Sequence, residues 1–130
     1  MTDKQALCTY RFNQAQETLT DAQKMLSGNV SPKSIVNRAY YAVFYSILAL
    51  FLKNDVNLTT SKHTGVISIF DKDFVHTEKI DKKYSKILHK LFEARQDADY
   101  KELVEISLEE ASEFVKQAEE FLAYIRPHAC

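Results

Sequence analysis

The sequence is poor in the residues that interrupt regular structure. Its 130 residues include only two glycines and two prolines. An all-β fold needs many turns, and these two residues form a large share of turns, so the composition favours a few long helices. With 45% hydrophobic and 27% charged residues, the chain has the size and composition of one globular domain. We therefore predict a single domain over residues 1–130.

Sequence patterns of several enzyme classes are also absent. No glycine loop of the dinucleotide or P-loop kind and no GxSxG elbow occurs. The histidines and cysteines lack HxxxH, HExxH and CxxC spacing, so we predict no metal site and no cofactor. The net charge of -1 gives no overall attraction to nucleic acid or membrane. The first residues, MTDKQALCTY, lack the regions of a signal peptide, which makes the cytoplasm the expected location.

Apolar residues recur at alternating spacings of three and four in two segments, which is typical of bundle helices. Between them, Gly28 marks a helix end, and Ser31 with Pro32 marks a helix start. So short a connection makes the first two helices antiparallel neighbours. The pattern predicts an all-α bundle of four or five helices. The two stripes comprise Cys8, Phe12, Ala15, Leu19, Ala22 and Leu26, and Leu108, Ala111, Val115, Ala118, Leu122 and Ile125.

The second predicted helix, from Pro32 to about Lys53, is apolar in almost every direction. Its run AYYAVFYSILALFL, residues 39–52, is too short to span a bilayer and has Arg38 at its edge, so no membrane contact is predicted. Helices of small bundles usually keep one solvated face, so this helix needs cover on that face too. We therefore predict that one side of it is a subunit interface, most simply that of a two-fold homodimer.

In the fourth predicted helix, an arginine occupies the apolar stripe where a leucine is expected. A guanidinium pointing inward needs acceptors, and Asp99 lies one turn after Arg95. Because Arg before Asp is the weaker order on a helix, we expect another helix to contribute, with Arg38 sharing Asp97 or Asp99. Two interpretations stay open: an ion-pair cluster that fixes helix register, or an anion-binding or phosphodiester-cleaving site. The stripe comprises Tyr84, Leu88, Leu91, Arg95 and Ala98.

Charge is segregated between the last two predicted helices, the first being basic and the second acidic. A lysine face leading toward Arg95 is spaced to track a phosphate backbone, unless the two helices are neighbours that attract each other. Lys62 and His63, near the expected start of a short third helix capped by Thr60 or Ser61, form another candidate phosphate site. The lysines are Lys79, Lys83, Lys86 and Lys90.

Three stretches, NRAYYAVFYSILALFL, SKHTGVISIFDKDFVHTEKI and LFEARQDADY, occur in a distinctive order and spacing. They resemble the HEPN domain family (higher eukaryotes and prokaryotes nucleotide-binding), in particular its small stand-alone prokaryotic members. The resemblance implies an up-and-down four-helix bundle with an extra short helix, forming a homodimer. It also implies a nucleotidyltransferase subunit as partner, in a toxin-antitoxin-like module, and RNA or nucleotide as ligand.

Many HEPN proteins resemble metal-independent ribonucleases in which histidine follows an arginine after four to six residues. Arg95 matches that arginine, but the histidine positions hold Tyr100, Lys101 and Glu102. Tyrosine titrates at about pH 10 and is a poor base. His63, on another helix, is the candidate to substitute for the missing histidine.

Two main candidate functions follow from this resemblance. The first is a dimeric nucleotide- or partner-binding component that is weakly catalytic or non-catalytic, and the second is a ribonuclease toxin with a degenerate motif. A generic helical interaction module is the third. The candidate catalytic residues are Arg95 and Tyr100, the latter also a candidate acceptor of a nucleotide, and the candidate nucleotide- or RNA-binding residues are Arg38, Lys62, His63 and Asp99.

Overall fold

A computed structural model describes residues 2–58, 62–101 and 104–129, and these residues form a helical bundle. A π-helical turn extends the third helix, and a short 3-10 turn follows the last. The described ranges contain four long helices, one short helix and no strand, so the predicted all-α fold, a four-helix bundle with an extra short helix, is confirmed. The helices are α1 (Asp3–Ser27), α2 (Pro32–Lys53), α3 (His63–Phe70), α4 (Lys82–Tyr100) and α5 (Leu108–Ile125).

Capping side chains set several helix ends. Thr2 before α1 and Ser107 before α5 each form a capping box, with Gln5 and Glu110 as the respective partners. Ser31 precedes α2 as predicted, yet its side chain makes no capping hydrogen bond. The predicted cap residues of α3, at positions 60 and 61, lie outside the described residues, and the described helix begins at position 63.

The end of α1 differs in one detail from the prediction. The amide of Gly28 donates to the carbonyls of Lys24 and Met25, as a residue after a helix should. Its φ of -98° is ordinary, however, and the left-handed conformation belongs to Asn29, whose φ is 57°. Asparagine tolerates this conformation better than most residues, so the chain turns toward α2 without using the freedom of the glycine.

Contacts at the far end of the pair show that α1 and α2 are antiparallel, as predicted. The Sγ atom of Cys8 near the start of α1 lies 3.2 Å from the carbonyl oxygen of Ala49 near the end of α2. Lys4 Nζ forms an ion pair with Asp55 Oδ1 at 2.8 Å, just beyond α2. The short connection therefore folds the two longest helices side by side.

α2 is the central helix of the bundle and packs against α1, α4 and α5. Twelve of its 22 residues are buried, so the other helices of the same chain supply much of the cover that was expected from a partner. Four half-buried side chains, at spacings of four, three and four residues, remain on one face. We call this face the α2 stripe; dimerisation through it stays a prediction. The stripe comprises Tyr41, Tyr45, Leu48 and Leu52.

By length and composition alone, α2 is long and apolar enough to cross a bilayer. Two thirds of its most apolar 18-residue window, 67%, is buried inside the bundle. Core helices of globular bundles pass the same test of length and hydropathy. The central position of α2 therefore accounts for its apolar character.

The basic face of α4 lies opposite the acidic face of α5. Lys83 Nζ forms an ion pair with Glu120 Oε1 at 2.6 Å, and Lys86, Lys90 and Glu113 line the same groove. The attraction between neighbouring helices, one of the two alternatives raised by the sequence, is therefore present. Lys83 is therefore paired within the chain, and the lysine track for a phosphate backbone stays a prediction.

Candidate functional site

Arg95 points inward from α4, as its place on the apolar stripe predicted, and its side chain is only 14% exposed. Its Nη2 atom donates a hydrogen bond of 3.2 Å to the hydroxyl oxygen of Tyr41 on α2. Its Nε lies 2.9 Å from Asp99 Oδ2 but has no hydrogen-bond partner, because the two groups are not aligned for one. Asp99 therefore acts on the guanidinium through charge, and the contribution from another helix comes from Tyr41.

Aromatic rings surround the guanidinium of Arg95. Its Cζ atom lies 5.8 Å from the ring centroid of Tyr40, 5.4 Å from that of Tyr41 and 5.7 Å from that of Tyr100. Such cation–π contacts contribute roughly 0.5–2 kcal/mol each and are strongest where water is excluded. The rings stabilise the cation without neutralising it, so its positive charge stays available to a ligand.

The fold brings His63, the first residue of α3, to the same two tyrosines. Its ring centroid lies 5.6 Å from that of Tyr40 and 5.7 Å from that of Tyr41, and its face stacks on Phe44 at 4.3 Å. Its Nδ1 lies 2.7 Å from the Tyr40 hydroxyl oxygen. His63 and Arg95 thus share two neighbouring side chains, although 32 positions separate them in sequence. No local sequence pattern predicts this proximity.

Burial, and secondarily the nearby Arg95 cation, lower the pKa of the His63 imidazole from its ordinary value of 6.5. Burial also raises the pKa of the Tyr40 hydroxyl, although Arg95 opposes that shift, so Tyr40 remains a neutral phenol. When His63 Nδ1 carries the ring hydrogen, it donates to the Tyr40 oxygen, and Nε2 is left with a free lone pair. Above its ordinary pKa the imidazole is therefore neutral, and in this tautomer its Nε2 lone pair is a proton acceptor.

Arg38 lies at the edge of this cluster. Its Nε and Nη2 donate to Asn37 Oδ1 at 3.1 and 2.8 Å, and its Cζ lies 5.2 Å from the ring centroid of Tyr41. The prediction that Arg38 shares Asp97 or Asp99 with Arg95 is wrong. Asp97 Oδ1 instead pairs with Lys101 Nζ at 3.0 Å, one turn away on the exposed side of α4. Asn37 supplies the acceptor that orients Arg38.

The two remaining candidate residues are exposed. Tyr100, at the end of α4, is 71% exposed while its ring contacts the Arg95 guanidinium, so its hydroxyl is open to a ligand or a modifying enzyme. Lys62 lies exposed at the N-cap of α3, beside His63. Glu102, also a position where the motif histidine would fall, lies outside the described residues.

The groups that meet here suit an anion rather than a metal ion. Within residues 2–58, 62–101 and 104–129, no group of histidine, cysteine and acidic side chains is arranged to hold a metal. The site offers a guanidinium and phenol hydroxyls, which donate hydrogen bonds to phosphate oxygens. The fold brings together five of the predicted site residues: Arg95, Asp99, Tyr100, His63 and Arg38. Tyr40 and Tyr41, which contact them, were not among the predicted site residues.

Comparison with known proteins shows the family of this chain. A UPF0332 protein of Thermotoga maritima is 41% identical over 122 residues, which cover 94% of this chain and 90% of that protein. Two Methanocaldococcus jannaschii proteins, each named as a candidate toxin, are 38% identical over 112 residues and 36% identical over 87 residues. The first alignment covers 86% of this chain and 81% of that protein, and the second covers 67% and 58%. The HEPN domain model matches residues 9–128, which include the whole site, and the chain belongs to the HEPN domain family.

Proposed function

We propose that this chain is a toxin-like HEPN protein whose site around Arg95 binds a phosphate group of RNA or a nucleotide. It acts as a homodimer in a toxin-antitoxin-like module with a nucleotidyltransferase, in the cytoplasm. The observation that carries the phosphate site is the Arg95 guanidinium, held between α4 and α2 beside the neutral imidazole of His63. The names of the two archaeal relatives support the toxin-like role.

Phosphate fits the chemistry of Arg95 better than a purely structural role does. Asp99 is 31% exposed and lies against Nε without a hydrogen bond, so the Nη side of the guanidinium can bind an incoming phosphate while Asp99 stays in place. A guanidinium binds phosphate through two parallel hydrogen bonds, a stronger arrangement than the present single contact. The exposed Tyr100 hydroxyl stands at the entrance and adds a further donor.

The α2 stripe supports the homodimer. Tyr41 belongs to the stripe and also accepts the hydrogen bond of Arg95. A second copy packed on the stripe therefore lies beside the phosphate site, so dimerisation and ligand binding involve the same residue. The stripe carries two aromatic and two aliphatic side chains, the residue types that interfaces between subunits favour.

Tyr100 is the proposed acceptor when the nucleotidyltransferase partner silences this protein. The added nucleotide places phosphate charge beside Arg95 and competes with a substrate phosphate for it. Incubation with the partner and a nucleoside triphosphate should add the mass of one nucleotide to the wild type and nothing to Tyr100→Phe. Tyr10→Phe, which changes an exposed tyrosine on α1, is the matched control. An unchanged mass gain in Tyr100→Phe excludes Tyr100 as the acceptor.

The second candidate function is metal-independent RNA cleavage, and the position of His63 favours it. His63 Nε2 takes the proton of a ribose 2′-hydroxyl as that oxygen attacks the neighbouring phosphorus. The bond from phosphorus to the 5′-oxygen then breaks, and the leaving oxygen takes a proton from Tyr100 or water. Arg95 offsets the negative charge that builds up on the phosphate oxygens.

The decisive experiment measures RNA binding and RNA cleavage in EDTA with the same variants. Arg95→Ala should lose binding, while His63→Ala should retain binding and, if the protein cleaves RNA, lose cleavage. Arg11→Ala and His76→Ala change an arginine and a histidine outside the site and should behave as wild type. Equal ligand affinity in the wild type and Arg95→Ala overturns the phosphate site. Cleavage that survives in His63→Ala overturns only the second candidate.

A further inference from the structure

Beside Arg95, at the start of α2, lies an open hollow of about 340 Å³. We propose that this hollow is a second phosphate subsite, and that the ligand is a single-stranded polynucleotide with neighbouring phosphates on Arg95 and in the hollow. The inference rests on the proposed function, because it extends the phosphate site at Arg95. The hollow is lined by Lys33, Ser34, Asn37, Arg38 and Asp99.

The charge of the hollow selects an anion. Two of its lining side chains, Lys33 and Arg38, are cations, and within the described ranges neither lies within ion-pair distance of a carboxylate. The one carboxylate in the lining, Asp99, is already paired with Arg95. Two cations without counter-ions on one concave surface attract phosphate, and the hydroxyl of Ser34 and the amide of Asn37 add neutral donors.

Arg38 is oriented for this role before any ligand arrives. Its Nε and Nη2 both donate to the side-chain oxygen of Asn37, and its guanidinium carbon lies near the ring of Tyr41. These contacts fix the plane of the guanidinium while leaving Nη1 unused in the described structure. A guanidinium already held in place loses less conformational entropy on binding than a free surface arginine.

The position of Tyr41 limits the distance between the two subsites. The guanidinium carbons of Arg38 and Arg95 each lie within 5.4 Å of the Tyr41 ring centroid, so their separation cannot exceed twice that distance. Consecutive phosphates of a strand are separated by a sugar, whereas those of a nucleoside triphosphate share a bridging oxygen. Two separate cationic sites within this limit, one at Arg95 and one in the hollow, accommodate neighbouring phosphates of a strand.

The test compares two ligands that differ by one nucleotide, and so by one phosphate and one nucleoside: a 2′-O-methyl nucleoside 5′-monophosphate and a 2′-O-methyl dinucleotide with a 5′-phosphate. Neither can be cleaved through a 2′-hydroxyl. NMR titration or calorimetry gives both dissociation constants for the wild type, Lys33→Gln/Arg38→Gln and Arg95→Ala. Lys72→Gln/Arg11→Gln removes one lysine and one arginine outside the site as the matched control, and thermal melts check that each variant is folded.

The double variant should lose about tenfold affinity for the dinucleotide and much less for the mononucleotide, because a charged hydrogen bond at the second phosphate is gone. The salt dependence of oligonucleotide binding should fall by about 0.7 in slope for each lost phosphate contact. When Arg38→Lys takes the place of Arg38→Gln in the double variant, part of the dinucleotide affinity should return. Lysine keeps the positive charge but lacks the paired N–H groups of a guanidinium.

Arg95→Ala separates failure of this inference from failure of the proposed function. If Arg95→Ala weakens the binding of both ligands while the double variant changes both affinities by the same factor, the second subsite is wrong and the phosphate site at Arg95 stands. If Arg95→Ala weakens neither ligand, the proposed function is wrong. A nucleoside triphosphate that depends on Lys33 and Arg38 as strongly as the dinucleotide does overturns the assignment to a strand.

Discussion

Two histidines of this bundle make short polar contacts with opposite consequences. His89 Nε2 lies 2.6 Å from Asp71 Oδ2, and Ser85 donates to Asp71 Oδ1 at 2.6 Å. This carboxylate joins α4 to the π-helical turn and uses both of its oxygens within the chain. His63 instead meets a phenol and lies close to a cation. A polar cluster whose groups satisfy one another within the chain stabilises a fold, whereas one with surplus positive charge can bind an anion.

Replacing Arg95 should have the largest effect and tests the cluster around Arg95 and His63. Arg95→Ala and Arg95→Leu should both lower phosphate-ligand affinity by roughly tenfold or more, since a charged hydrogen bond disappears. Arg95→Leu should keep or raise the melting temperature because it fills the same space without the cost of a buried charge. Arg95→Ala should melt lower because it loses that packing. Binding that survives in a folded Arg95→Leu variant would make the cluster purely structural.

A charge on the α2 stripe should change the oligomeric state. Tyr45→Glu places a carboxylate in the predicted interface and should shift sedimentation toward the monomer or make the protein insoluble. Tyr10→Glu changes an exposed tyrosine on α1 and serves as the matched control. A wild type that stays monomeric at high concentration contradicts the homodimer.

Breaking the cluster of Asp71, Ser85 and His89 should reduce stability without affecting the site at Arg95. Asp71→Ala leaves Ser85 and His89 without their shared acceptor and should lower the free energy of unfolding by about 1–2 kcal/mol. Asp73→Ala, two residues further along the same π-helical turn, should have less effect because its side chain is exposed. Ligand affinity should not change in either folded variant. A large loss of binding in Asp71→Ala would mean that the two clusters are not independent.

The smallest effect concerns the titration of His63. Because its pKa is lowered in the folded state, the unfolded chain binds more protons just below pH 6.5. The contribution of His63 to stability is therefore complete above that pH and is lost as the pH falls toward its folded-state pKa. Denaturant midpoints of His63→Gln should fall less between pH 7 and 5 than those of the wild type or His76→Gln.

Removing Arg95 should change the same titration. In Arg95→Leu, NMR should show a higher His63 pKa, still below its ordinary value, because burial is the larger cause of the shift and remains. An unchanged His63 pKa would mean that the cation does not act on the imidazole.

The structural features that the sequence predicted are those that depend on local patterns. The three-and-four spacing placed Leu88, Leu91 and Arg95 on one face of α4, and the Ser31–Pro32 pair located the start of α2. Tyr41 and His63 could not be placed in the same way. Their proximity to Arg95 depends on how α2, α3 and α4 pack, and the spacing of residues along one helix carries no information about that packing.

A single NMR titration of both histidine clusters tests whether the phosphate ligand binds at Arg95 and His63 and not at His89. The ligand is the uncleavable 5′-phosphorylated dinucleotide, and the signals are the Arg95 side-chain N–H groups and the ring protons of His63 and His89. The Arg95 and His63 signals should shift and saturate together while those of His89 stay in place. Shifts at His89 or elsewhere on the surface, with Arg95 and His63 unmoved, would contradict this prediction.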